Sequence, residues 1–245
     1  CRHDATHMQF ANTYGQTVAQ ASVDERASFL TKTYLHLVGA IFVFVGMEAL
    51  LIVSGLAEKI AIALSGRFAW FLLLGAFMGV SYVADRWARS DSSVGMQYAG
   101  LALYTFAEAI IFAPLIVMAM YASVEYGGGS MDILAKAGGV TVLLFGVLSA
   151  VVFVTRKDFS FMRSFLMFGG IAAMVLIVAS LIFGFQLGII FVWFMIVFAS
   201  GSILYNTSNV MIHYRPTQHV AAALTLFASF ALLLYYVVIL FMRRD

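Results

Sequence analysis

The sequence is short of charge. Asp, Glu, Lys and Arg make up 11% of its 245 residues, against 63% hydrophobic ones, where a soluble domain of this size carries about 25% charge. That deficit excludes an ordinary soluble domain and points to a chain that crosses a lipid bilayer several times. Cysteine is nearly missing as well: Cys1 is alone, so no intrachain disulfide can form. Proline occurs twice, which suits long uninterrupted helices. No hydrophilic stretch is long enough to house a second domain, and the net charge of +2 gives no hold on nucleic acid.

Chemical motifs are also missing. There is no G-x-S-x-G and no phosphate-binding P-loop, and His36, His213 and His219 show no ligand spacing for zinc. A retinal protein needs a lysine within a span, and the seventh apolar run has none. A transporter with broken helices should show matching Gly/Pro breaks in two similar halves, but Pro114 is alone in the spans and no internal repeat is visible. We therefore expect no catalytic residues, no metal site and no cofactor.

What the sequence has is apolar runs. A run of about 20 residues spans a bilayer as a helix, and seven such runs occur, at about 33–56, 67–85, 97–121, 133–154, 162–184, 188–212 and 219–242. Residues 1–28 are expected to be a polar, flexible N-terminal segment and 29–245 the membrane domain. Met8 is a candidate start and Cys1 a candidate lipidated residue; Ser22 and Glu25 have capping-box spacing, enough to start a short helix before the first span. Seven spans put the termini on opposite sides. The side holding the N-terminus carries nine Lys and Arg residues and the other five, so the positive-inside bias favours a cytoplasmic N-terminus and an outer C-terminus. Gly75 and Gly79 form a GxxxG pair, expected to pack closely on a neighbouring helix, with a dimer interface as the rarer use. Gly127, Gly128 and Gly129 read as a flexible outer loop.

The informative residues are the polar ones inside spans, where each is expensive. Glu108 lies near the centre of the third span and shares a helix face with Tyr104 and Gln97. An ionised carboxylate at that depth needs a cation or water beside it, so Glu108 is a candidate ion or proton site. Glu48 lies nearer the outer end of the first span, within expected reach of interfacial water. The stretch LYNTSNVMIH (204–213) closes the sixth run with amides and hydroxyls. At 100° per residue, Ser202, Asn206, Asn209 and His213 fall within about 60° of one another and make a polar stripe. Thr207 and Ser208 point elsewhere and are expected to bond back to their own helix. Gln218, Thr225 and Ser229 make a thinner stripe on the seventh run.

Several segments resemble one family. FLTKTYLHLVGAIFVF (29–44), QYAGLALYTFAEAIIFAPLIV (97–117), TRKDFSFMRSFL (155–166), ILYNTSNVMIHY (203–214) and HVAAALTLFASFALLLYYV (219–237) are similar to the Bax inhibitor-1 family, including its bacterial YccA-like members. The resemblance covers the chain from about residue 26, and the Lys157, Asp158, Ser160, Phe161 block is its most specific part. It implies an all-α integral membrane protein with seven transmembrane helices, six around a central seventh, in the bacterial inner membrane. It further implies a pH-sensitive leak for calcium or a proton-linked cation, or modulation of a membrane protease. In the family an aspartate after I-L-Y pairs with a second in the last span, and the two share a proton; an arginine at the inner end of the second span locks the closed form. This sequence carries Asn206 and Ser229 at the two aspartate positions, and Arg86 falls near that of the arginine. Any proton sensor is then expected at Glu108, Asp85 or His213, whose ordinary range lies near pH 6.5. The path is expected to run past Glu108 and the Asn206/Ser229 contact, with Arg86 and His213 at its inner mouth.

Overall fold

The computed structural model describes residues 17–90 and 93–243; Cys1, Met8 and most of the expected N-terminal segment lie outside them. Eight helices account for the described chain: α1 (Val23–Val53), α2 (Leu56–Ala63), α3 (Arg67–Ala88), α4 (Val94–Glu125), α5 (Asp132–Thr155), α6 (Met162–Phe183), α7 (Ile189–Ile212) and α8 (His219–Met242). All but α2 are long and apolar enough to cross a membrane, one for each of the seven runs. The architecture is all-α and the chain is a multi-pass membrane protein. Phe42, Val154, Phe168 and Ile190 are exposed on its flanks, as lipid-facing residues must be.

The first helix starts earlier than its apolar run. Ser22 Oγ accepts from the Glu25 N–H at 3.3 Å, and the Ser22 N–H donates to the Glu25 carboxylate at 3.2 Å. This reciprocal cap satisfies two otherwise free donors, and Asp24 and Glu25 complement the helix dipole. The helix therefore forms through the charged stretch 23–32, and the expected boundary at 28 falls inside it. Residues just before the cap are built into the bundle too. Val18 is fully buried, and its N–H donates to the Tyr214 carbonyl at 2.8 Å.

All seven spans run between two ends, which can be named by Arg89 and Arg243. Helix α8 is the hub: it packs against α1, α3, α4, α5 and α7. Its buried Ala221, Ala222, Ala223 and Ala231 let neighbours approach closely. Phe227 of α8, Phe44 of α1 and Phe112 of α4 form the aromatic centre, with Phe44 edge-on to Phe112 at 5.0 Å and to Phe227 at 5.9 Å. Helix α6 departs from a regular ring. It leans on α7 and barely touches α3, leaving a gap beside α8.

Two glycine expectations are corrected. No atom lies within 4 Å of where a Cβ would stand on Gly75 or Gly79, so this GxxxG pair packs against nothing within the bundle. The close contact of α3 uses Ala84 and Ala88 instead, against Gly100 of α4, where a Cβ would fall 2.5 Å from the Ala84 carbonyl oxygen. The Gly127–Gly129 stretch is a built turn. Gly127 takes a left-handed φ of 75°, the Gly128 N–H donates to the Ser123 carbonyl at 3.0 Å, and the Asp132 carboxylate closes over Gly128.

Candidate functional site

The gap is a cavity of about 750 Å³ bounded by α3, α4, α6, α7 and α8. It runs from Asp85 and Arg89 at one end to Leu187 and Arg243 at the other. Glu108, Ser202, Asn206, Thr225 and Ser229 all line it, because Ser202 and Asn206 lie one turn apart on α7, as do Thr225 and Ser229 on α8.

The hydrogen bonds across the α7/α8 seam admit one consistent assignment. Asn206 Nδ2 donates to Ser229 Oγ at 2.8 Å and to Ser202 Oγ at 3.1 Å. The Ser229 hydroxyl donates to the Thr225 carbonyl at 3.1 Å. Its proton thus committed, Ser229 Oγ accepts from Ser202 Oγ, 3.0 Å away. Every polar hydrogen in this latch is used, and none of its groups can gain or lose a proton near neutral pH. A carboxylate pair at the same positions would behave quite differently.

Beside the latch, a second chain of bonds reaches the Arg89 end. Thr225 Oγ1 donates to the Ala221 carbonyl at 3.0 Å and so accepts from the Tyr214 hydroxyl at 2.8 Å. Arg89 Nη2 donates to Tyr214 at 3.3 Å, with the guanidinium 5.4 Å from the ring centroid. Arg89 Nε contacts both Asp85 oxygens at 2.9 Å. Burial works against the Arg89 charge, but Asp85 and Tyr214 outweigh it and hold the guanidinium above its ordinary range.

Arg89, therefore, occupies the place expected for Arg86. Arg86, three residues earlier, is exposed and, among the described residues, bonds only Tyr82, at 3.3 Å. The spacing explains the error: residues 85 and 89 share the face turned to α8, and residue 86 turns 100° away. His213 is a second correction. It caps α7 in an exposed position, off the cavity wall and within electrostatic reach of Asp158. Asn209 is also off the wall; its carbonyl accepts from the His213 and Tyr214 N–H groups at the helix end. Gln97 donates to the Ser90 carbonyl at 2.8 Å and closes the turn before α4, leaving Tyr104 and Glu108 on the cavity. Ser208 does not bond back to its own helix. It accepts from the Phe159 N–H at 3.1 Å and donates to the Lys157 carbonyl at 3.4 Å, tying the Lys157–Phe161 block to α7.

Glu108 is 7% exposed, and its neighbours are aromatic. Tyr104, one turn before it, and Tyr235 of α8 both feel its charge, and both line the cavity with Phe77 and Phe112. Glu48 is 4% exposed and does not reach the surface, and among the described residues neither carboxylate oxygen has a hydrogen-bond partner. Among the described residues, no three His, Cys, Asp or Glu side chains converge as a metal site.

A family model described as "Inhibitor of apoptosis-promoting Bax1" matches residues 26–245. The chain belongs to the Bax inhibitor-1 family. Over 104 residues it is 38% identical to a protein of Escherichia coli K12 named "Modulator of FtsH protease YccA", a match covering 41% of this chain and 46% of the relative. The chain thus spans about half the length of that relative, and of an inner membrane protein YccA from a second E. coli strain. An uncharacterized protein of Pasteurella multocida is 28% identical over 211 residues, 84% of this chain and 89% of that one.

Proposed function

We propose that this family member forms a leak path for calcium or another cation, or for protons, through the cavity beside α8. The observation that carries this reading is the cavity itself, which joins the two ends past a buried carboxylate and a hydrogen-bonded polar seam. The Arg89–Asp85–Tyr214 group stands at one mouth as the closing element, with the Asn206–Ser229 latch next and Glu108 deeper. Because the latch is neutral, pH dependence falls to Glu108, the buried carboxylate on the path. On this reading the Arg89 end and the N-terminus face the cytoplasm of a bacterial cell and the C-terminus the outside, the orientation that the Lys and Arg bias favours.

Proteoliposomes loaded with a calcium dye or a pH dye test the reading. Wild type should pass one of these ions between about pH 5 and pH 8. Replacing both Asn206→Asp and Ser229→Asp should add a steep pH dependence that Asn206→Asp alone does not. No flux of either ion at any pH in that range refutes the leak.

The name of the E. coli relative favours a second reading, a non-transporting partner of a membrane protease. Here the polar segment before Thr17 would be the recognition element. Co-purification of a protease that is lost on deleting residues 9–16, while the Val18 anchor and the Ser22 cap remain, supports it.

A further inference from the structure

We propose that the cavity beside α8 binds a lipophilic organic cation, with Glu108 as its counter-charge. The volume, about 750 Å³, falls inside the ~300–1,000 Å³ range of ordinary ligand pockets. Away from the Asp85–Arg89 mouth, its flank on α3 and α6 is largely apolar, with Phe77, Met174 and Ile177 on the wall. The charges are unevenly placed. Asp85 is already clamped by Arg89 at one mouth, and Arg243 at the other donates to the Leu187 carbonyl at 2.7 Å. Glu108 is left as the acid of the interior, with no cation among the cavity-lining residues near it.

The surroundings of Glu108 choose between kinds of cation. Calcium takes six to eight oxygen ligands, and Asp85, the other acid on the cavity wall, is held by Arg89 at the mouth, so a metal ion can pass but finds no cage at Glu108 in which to stay. A delocalised organic cation needs no such cage. It gives up little hydration, pairs with one carboxylate, and gains from ring faces within about 6 Å. Those rings are present: Phe77 and Tyr104 have centroids 5.8 Å apart, and Phe112 and Tyr235 5.4 Å apart, on the wall around Glu108. An anion of the same shape meets the carboxylate and the same ring faces as repulsion.

The inference rests on the cavity and Glu108, not on ion leak, and measuring binding and flux separately tells the two apart. The probe is tetraphenylphosphonium, titrated onto the full chain in lipid nanodiscs, with tetraphenylborate as the anion of matching shape. Saturable binding of the cation alone is expected. Glu108→Gln should weaken it by about tenfold or more, since it removes the counter-charge of a desolvated ion, while Glu108→Asp keeps most of it. Ala228→Phe, which adds bulk to the cavity from α8 and leaves the Glu108 carboxylate in place, should also abolish it. Equal binding by wild type and Glu108→Gln overturns the proposal, as does saturable binding of both tetraphenyl ions alike. If Glu108→Gln does not fold, the Ala228→Phe result decides: undiminished binding there overturns it equally. Binding without flux leaves this inference standing and removes the leak; flux without binding does the reverse.

Discussion

Glu48 and Glu108 are both more than nine-tenths buried in the same bundle, yet only one opens on a cavity. They stand close in the fold. Helices α1 and α4 run parallel, Phe44 packs edge-on against Phe112, Glu48 is one turn past Phe44 and Glu108 one turn before Phe112. With a rise of 1.5 Å per residue, the two carboxyl groups are separated along the axis by roughly 12 Å. Glu108 has room, aromatic walls and a polar seam across from it. Glu48 has neither room nor a hydrogen-bond partner. A costly acid in a span becomes a candidate site through access, not through burial.

The sharpest break of this comparison is in flux. Glu108→Gln should reduce cation or proton leak in liposomes by about tenfold or more, because it removes the intramembrane charge that draws a cation in. Glu48→Gln should leave flux within twofold of wild type, about the scatter of such assays. A matching loss from Glu48→Gln would mean that the sealed carboxyl is on the path after all.

Next in size is the seat of α3, which forms one wall of the cavity around Glu108 and none around Glu48. Gly100→Leu places its side chain into the Ala84 and Ala88 backbone and should cost about 3 kcal/mol, the upper end for overpacking. Gly75→Ala and Gly79→Ala meet nothing within 4 Å and should gain about 0.5–1 kcal/mol each from helix propensity. Unfolding midpoints in detergent measure both. A loss at Gly75 or Gly79 in the intact membrane but not in detergent would mean that this face is covered by another molecule.

Glu48 supplies the third. Glu48→Leu should stabilise the protein by about 2 kcal/mol, since it removes polar atoms that are buried without partners. The same change at Glu108 has less to gain, because that carboxyl opens on the cavity. Detergent unfolding of the two variants side by side gives the difference. A destabilised Glu48→Leu would show that the carboxyl is satisfied by a group other than the protein's own.

How much of this was legible in the sequence follows from which forces act locally. The seven spans were, because apolar runs must match the bilayer thickness whatever their neighbours do. The seam was also legible, because Ser202 and Asn206 on one helix and Ser229 on another already lay on single faces. That Arg89 and not Arg86 lines the cavity was not legible, because it depends on which face of α3 meets α8, beside the Ala84 and Ala88 contact with Gly100 on a third helix. The sequence set Glu108 apart from Glu48 by its depth in the span, but it did not show that Glu48 is sealed while Glu108 opens on a cavity. Nothing in either flanking sequence says where six other helices leave a gap.

A third carboxylate completes the series and carries the smallest effect. Asp158 is fully in water, and the Ser160 hydroxyl and N–H, at 2.5 and 2.8 Å, hold it below the ordinary carboxylate range, with a lesser pull from His213. A carboxyl lowered on folding adds stability in full above its unfolded value, near pH 4, and loses it as pH falls through the folded one. Asp158→Asn should therefore lower the unfolding midpoint slightly and evenly at all pH values well above that range, and the gap to wild type should close on acidification. The loop it shapes is anchored to α7 by Ser208 at the Lys157 carbonyl and the Phe159 N–H, so the loss stays local. A gap that widened on acidification would assign the opposite sign to this group and would place the linkage elsewhere, in a carboxyl that the mutation disturbs at a distance. Glu108, the one acid with both burial and access, would then be the first to examine.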